Sequence, residues 1–413
     1  MGSSFFAPAT VLAALTQQLT GSSFCVGLLV SMNRVGMMWP QLIVGNLVEP
    51  VRRKMPVYVV TSLLRVLVLL SMGAAIFTWR GSDMGLFWLI LALYFLFASA
   101  AGAAIVPFFD IVGKAFSKDR LGLVWSYRRV LGGMLGFLAS VAVTWVLSDL
   151  SGVEWPDNYA LLMVLGAGIC ATAYICFMSV REEDAEVAER RVPFFTFLRR
   201  GPRIVRRDPD FRRFLILRGA WALTRMSQLA LFVPMAMDYF KASAMVTGGT
   251  FTALVLLVGS ASSYLCGRAI QRYGELRVMR MGAVLHVVSL VPALMLGIGY
   301  LAGFWNSAGW GYLAVYVVMY SCGAAAINFC DITGMVYLLS LPASHLRPTY
   351  VAFMNTLNMP LLFAPAAAGL LAERVPYPAV FGVSLVSALW AWHLTGRLNQ
   401  RSHETPADLG LEE

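Results

Sequence analysis

Charge is scarce in this chain. Asp, Glu, Lys and Arg make up 13% of its 413 residues, about half the share usual in a soluble domain. Hydrophobic residues reach 59%, so there is too little polar surface to coat a water-soluble globule, which excludes a disordered chain and a soluble enzyme. Cysteine is sparse too. Cys25, Cys170, Cys176, Cys266, Cys322 and Cys330 all lie in apolar stretches and none forms a CxxC pair. They read as reduced packing residues, not as a disulfide framework or a metal site. The four histidines, His286, His345, His393 and His403, are scattered, with no HExxH and no Ser-His-Asp order. No metal, no cofactor and no catalytic cluster is expected, and the chain does not read as an enzyme.

Long apolar runs are what it has in abundance. They cover residues 5–15, 24–48, 55–78, 84–110, 121–147 and 158–180, then, after a polar stretch at 181–213, residues 214–237, 246–270, 278–304, 311–331, 349–371 and 380–394. Runs of about 18 residues or more with few charges are long enough to cross a bilayer. In lipid every backbone group must be bonded within its own segment, so these runs are expected to be helices. Barrel strands would be about half as long and alternate in polarity. The expected class is an all-α membrane protein of twelve helices: a six-helix bundle at 1–180, a basic linker at 181–213, a second six-helix bundle at 214–397 and a tail at 398–413.

The surplus of basic residues, a net charge of +10, is explained by where they lie. The central stretch, alternate connections and the tail hold 23 of the 32 Lys and Arg. The opposite connections hold only Arg80, Lys241 and Arg374, beside the acids Asp83, Asp149, Glu154, Asp157, Asp238 and Glu373. This asymmetry obeys the positive-inside rule and places the C-terminus in the cytoplasm. Nucleic acid is not an expected partner; membrane lipids are. In the linker, Arg199, Arg200, Arg203, Arg206, Arg207, Arg212 and Arg213 interleave with Phe194, Phe195, Phe197 and Leu198. An amphipathic helix on the anionic inner leaflet and a solvated linker fit this pattern equally.

An internal repeat with a period near 221 residues links the two sets of runs. Gly102-Ala103-Ala104-Ile105-Val106-Pro107-Phe108-Phe109-Asp110-Ile111-Val112-Gly113 aligns with Gly323-Ala324-Ala325-Ala326-Ile327-Asn328-Phe329-Cys330-Asp331-Ile332-Thr333-Gly334. Each copy carries an acid at the end of an apolar run. A second echo pairs the turn from Gly45 through Glu49, Pro50, Arg53 and Lys54 with the turn from Gly267 through Gln271, Arg272 and Gly274. Parallel repeats of six helices are one of the transporter architectures. Six plus six helices, a basic central loop and these two turns resemble the major facilitator superfamily, and the likeness covers the whole chain. Gly45, Glu49, Arg53 and Lys54 match that family's G-x-x-x-[DE]-[RK]-x-G-x-[RK]-[RK] loop signature in the first half. Gly267, Arg272 and Gly274 match it in the second half, where Gln271 replaces the acid. The resemblance implies two pseudo-symmetric bundles that rock about a site near mid-membrane, with these turns as gate elements. Gly132-Gly133-x-x-Gly136 lacks the Pro and the full spacing of the antiporter signature and reads as close helix packing.

Two features stand apart from that pattern. The first run, about 11 residues, corresponds to roughly 16 Å of helix against an apolar core near 30 Å, so the N-terminal half of helix 1 is expected to be missing, through a mis-set start or a trimmed chain, or else the segment is a half-helix. Charges also lie inside the runs. Arg34, Arg65 and Arg225 fall deep, Arg128, Arg129 and Arg218 nearer the ends, and no acid falls at mid-run. Buried charges usually face an interior with a partner. Arg34, Arg225 and Arg65, with the amides Asn328, Asn355 and Asn358, are the candidate substrate-binding residues, since Arg grips carboxylate or phosphate bidentately. Asp110 and Asp331 are candidate gate or packing partners, and Asp110 and His286 candidate coupling groups. The expected function is secondary active transport, by a monomer in a bacterial inner (plasma) membrane, of a small organic solute, anionic rather than cationic. The alternative is a non-transporting sensor or assembly scaffold on the same fold.

The topology is checked by single-cysteine labelling in a cysteine-free background. Gly152→Cys is expected to react with an impermeant maleimide in intact cells, and Ser402→Cys only after permeabilisation.

Overall fold

The computed structural model describes residues 2–48, 53–115, 118–180, 182, 208–304, 311–341 and 347–398. Among them there is no strand. The α-helices are α1 (Val11–Thr20), α2 (Ser23–Val48), α3 (Met55–Thr78), α4 (Asp83–Ala115), α5 (Lys118–Val146), α6 (Asp157–Met178), α7 (Pro209–Ala230), α8 (Phe232–Phe240), α9 (Phe251–Tyr273), α10 (Glu275–Leu301), α11 (Gly311–Ser340), α12 (Arg347–Asn358), α13 (Ala364–Ala372) and α14 (Tyr377–Thr395). They follow the twelve apolar runs, three of which are interrupted. A 3-10 turn, Gly2–Phe6, precedes α1 with Pro8 between them. Helices α7 and α8 meet at Leu231, three residues before Pro234. Helices α12 and α13 are joined by a 3-10 turn, Met359–Phe363, that contains Pro360. Proline supplies no N–H and crowds the preceding turn, so each break falls where the ladder cannot continue. Seven helical spans are long and apolar enough to cross a membrane.

Several helices outrun their apolar runs. Helix α11 continues nine residues past Asp331, and α4 five past Asp110. An apolar run stops at its first charge, whereas a helix stops where its backbone ladder does. Asp331 therefore lies about 13 Å inside its helix at 1.5 Å per residue, rather than at the end. Helix α7 starts five residues ahead of its run: Asp208 accepts from the backbone N–H groups of Asp210 and Phe211 at 3.1 and 3.0 Å, with Pro209 opening the helix. An aspartate cap followed by proline is a strong start signal.

The chain forms two compact units. The first comprises residues 1–191, 229–257 and 365–373, the second residues 192–228, 258–364 and 374–413. In the first unit Phe5, Phe6, Leu12, Leu15, Met72, Phe87, Tyr94, Tyr159 and Met163 form the core, while Val60, Leu63, Leu67, Leu70 and Trp88 point outward, as an apolar solvent requires. Segments 229–257 and 365–373 come from the second set of runs yet pack here against α1, α2 and α5 through glycines. A Cβ on Gly27 would strike the Pro365 carbonyl, one on Gly369 the Ser23 carbonyl, and one on Gly249 the Thr144 side chain and Cα. Polar bonds reinforce these crossings. Gln17 Nε2 donates to Asp238 Oδ1 at 2.9 Å, Thr10 and Thr252 hydroxyls meet at 2.5 Å, and the Ala366 N–H donates to Ser31 Oγ at 3.1 Å. The Glu373 carboxylate accepts from the Ser22 hydroxyl and from the Phe24 N–H at the start of α2. The second unit is centred on Phe211, Phe214, Trp221, Met279, Tyr337, Tyr350 and Phe353, and its α9–α10 turn depends on Gly274 at φ 80°, a region open to glycine.

Because the clashing atoms at Gly27 and Gly369 are backbone, they cannot swing away. Gly27→Val and Gly369→Val are expected to destabilise the protein by about 1–3 kcal/mol, read as a lower Tm in detergent. Gly168→Val, with open space around it, is expected to stay within about 0.5 kcal/mol of the parent.

Candidate functional site

Helix α7 presents Arg218, Trp221, Arg225 and Gln228 at spacings of three, four and three residues, which puts all four on one stripe of the helix. Arg225 is 6% exposed. Its Nη1 donates to Asp331 Oδ1 on α11 at 2.8 Å, and Arg218 Nη1 reaches the same oxygen at 3.3 Å. The Trp221 ring lies between the two cations, 5.8 Å from each guanidinium carbon, where an aromatic face attracts positive charge. Gly334, the last residue of the repeated motif, leaves room for that indole: a Cβ there would come within 3.1 Å of it.

Two guanidinium groups on one carboxylate oxygen leave a positive charge that Asp331 does not neutralise. Arg225 Nε and Nη2 are buried and bond no oxygen among the described residues, the Cys330 thiol being the polar group beside the guanidinium; Trp221 Nε1 and His286 Nε2 are buried without a hydrogen-bond partner among the described residues. Nε and Nη2 form the side-on edge of a guanidinium, the edge that grips a carboxylate or phosphate through two parallel bonds. An unsatisfied buried donor costs roughly 1–3 kcal/mol, more when charged, so an acceptor brought to this edge would be favoured. One turn further along the stripe, Gln228 Oε1 lies 3.1 Å from His286 Nδ1, Gln228 Nε2 donates to Ser289 Oγ at 3.2 Å, and Ser289 Oγ donates to the Met319 carbonyl at 2.7 Å.

The other candidate residues are elsewhere. Arg34 is half-buried on α2. Arg65 lies over the Tyr174 ring at 4.2 Å and the Tyr58 ring at 5.9 Å, and donates to Ser62 Oγ at 3.0 Å; it packs between α3 and α6, beside the outward-facing Leu63, Leu64 and Leu67. Asn328 Nδ2 donates to the Gly259 carbonyl at 2.9 Å and to Ser262 Oγ at 3.0 Å, tying α11 to α9. Asn358 Nδ2 bonds the Met354 carbonyl in its own helix at 2.8 Å, and Asn355 is half-buried one turn earlier.

At the first signature turn, Lys54 Nζ pairs with Asp110 Oδ1 at 2.9 Å. The Glu182 carboxylate accepts from the Lys54 and Met55 N–H groups, both at 2.7 Å, at the start of α3, a favourable place for negative charge. Gly45 is in the last turn of α2 and Arg53 is exposed; Glu49 lies outside the described residues. At the second turn, Gly267 and Arg272 are inside α9, and Arg272 stacks on Tyr273 at 5.4 Å.

Comparison with known proteins fits this arrangement. The sequence profile described as Major Facilitator Superfamily matches residues 1–361. The chain belongs to that superfamily. As a superfamily member with these apolar helices it is an integral membrane protein. It is 30% identical over 207 residues to Probable transporter SCO4007 of Streptomyces coelicolor, a match that covers 48% of this chain and 44% of that protein; the chain thus spans under half the length of that curated relative. Among solved structures, a variant of the nucleoside transporter NupG has a TM-score of 0.70 at 14% identity, covering 97% of this chain and 96% of that one. An auto-inhibited peptide transporter of the POT family has a TM-score of 0.70 at 12% identity, covering 99% and 96%. These likenesses show the superfamily's fold.

Trp221, Gln228, Ser289 and Glu182 are absent from the residues singled out in the sequence. For the first two the signal exists: the three-four-three spacing around Arg218 and Arg225 lays a polar and aromatic stripe along an otherwise apolar helix. Ser289 and Glu182 carry no such mark, since only the helix packing brings them to their partners.

Removing Asp331 leaves two cations facing each other. The Asp331 side chain is 47% exposed, so solvent screens part of the loss, and Asp331→Ala is expected to destabilise the protein by about 1 kcal/mol, seen as a fall in Tm. Arg218→Ala in the same chain is expected to recover part of that loss, because one of the two unpaired charges is gone.

Proposed function

We propose that this protein is a secondary transporter that moves a small organic anion across the plasma membrane by alternating access, with Arg225 as the residue that holds the anion. The observation that carries this reading is the buried Nε–Nη2 edge of Arg225, which bonds no oxygen among the described residues while Asp331 holds the third nitrogen. Fixing Nη1 on Asp331 orients the guanidinium before any ligand arrives, which lowers the cost of binding. Arg218 and Trp221 supply further positive charge and an aromatic wall. The glycine crossings and polar bonds of segments 229–257 and 365–373 are the contacts that would part when that side of the protein opens. The solute, a membrane lipid environment and a single copy of the chain suffice for this reading, with the C-terminus in the cytoplasm. Transport of nucleosides or peptides by proteins of the same fold supports a small-molecule cargo.

A charge-assisted bidentate grip is worth about 3 kcal/mol, or roughly a hundredfold in affinity. In proteoliposomes, Arg225→Ala is expected to weaken uptake of the anion found in a ligand-stability screen by about that factor. Arg225→Lys should restore little, because an ammonium offers no fork. Undiminished uptake of every anion by Arg225→Ala would sink the proposal. A protein that moves no solute at all would instead favour the scaffold reading.

A further inference from the structure

Beside the Arg225 fork stands a second unused group with the opposite hydrogen-bonding character. His286 is fully buried on α10, and its Nδ1 faces Gln228 Oε1. The network fixes which atom is which. Ser289 Oγ spends its hydrogen on the Met319 carbonyl, so it must accept from Gln228, and only Nε2 of that amide can donate. Gln228 Oε1 is therefore the atom turned toward the imidazole, and His286 Nδ1 must carry the hydrogen. In a neutral imidazole the other nitrogen is then a bare acceptor. That nitrogen, Nε2, is buried and has no partner among the described residues.

Arg225 and Gln228 are three residues apart on α7, a rise of about 4.5 Å, and His286 Nδ1 lies 3.1 Å from Gln228 Oε1. A cationic donor fork on α7 and a neutral acceptor on α10 are thus linked through Gln228, one helical turn from Arg225. Resting on the anion reading above, we infer that the transported solute is an acid that also carries an O–H donor a few bonds from its acid group: the acid occupies Arg225, and the donor occupies His286 Nε2. A simple acid would leave Nε2 desolvated and unbonded. A site built around a polar group discriminates strongly for that reason. Gln228 is a positioning residue, since it acts by holding the imidazole in one tautomer.

Matched probes test this: lactate against propionate, and hydrogen phosphate against sulfate, each pair differing in possession of an O–H donor. Binding is read as thermal stabilisation of the purified full chain across a concentration series. The parent protein is expected to prefer the donor-bearing member of each pair by tenfold or more. His286→Leu is expected to abolish that preference. Gln228→Leu is expected to erode it as well, because the imidazole can then place its hydrogen on Nε2. Equal binding of both members by the parent protein, with Arg225→Ala abolishing both, would overturn this inference and leave the anion site standing. Binding of none of the four probes would remove the anion site and this inference together. A ligand-free check covers poor folding of the variants: 15N spectra of the labelled parent protein should show one histidine protonated at Nδ1 and bare at Nε2. The reverse tautomer at His286 would overturn the inference.

Discussion

A peptide group in a hydrocarbon environment has no water to bond, and that constraint governs everything else in this chain. It makes each apolar run a helix, and it makes each charge inside a run a local problem to be solved by side chains. The solutions differ. Arg65 rests on two tyrosine rings and a serine hydroxyl, with no carboxylate needed to hold it. Asp110 pairs with the Lys54 ammonium at the start of a helix. Arg225 shares one oxygen of Asp331 with Arg218.

The internal repeat shows how one sequence pattern serves two ends. Asp110 and Asp331 occupy equivalent positions, each inside a long helix that runs on past it. In the first half the acid meets the basic turn ahead of α3. In the second half it meets two arginines of α7, and the corresponding turn has Gln271 where the first has an acid. Glycines of the repeat behave alike in kind but not in partner. Gly102 lets α4 approach the backbone at Met37, and Gly323 makes room for Ser289 on α10. The repeat thus sets helix spacing in both halves, and the residues brought close by that spacing decide what each half does.

Polar groups also line the crossings of segments 229–257 and 365–373. The crossings that tie segments 229–257 and 365–373 to α1, α2 and α5 use glycine, hydroxyl and amide contacts, with Asp238 and Glu373 accepting hydrogen bonds. Such contacts are individually weak, about 0.5–1.5 kcal/mol net apiece, and can be exchanged for water.

The sequence by itself determined the number and identity of the membrane helices, the repeat and the superfamily, because those depend on local composition and on one backbone rule. It also marked Arg225 and Asp331 as charges in need of an explanation. Helix ends were read less well. Hydropathy stops at the first charge, so Asp331 looked terminal, and the Asp208–Pro209 start of α7 lay hidden in a basic stretch. Only the tertiary structure decided which charge meets which, since a salt bridge between α7 and α11 joins residues 106 positions apart. It alone placed Gln228 between His286 and Ser289. Orientation at that level follows from packing, and packing is a property of all the neighbouring helices together.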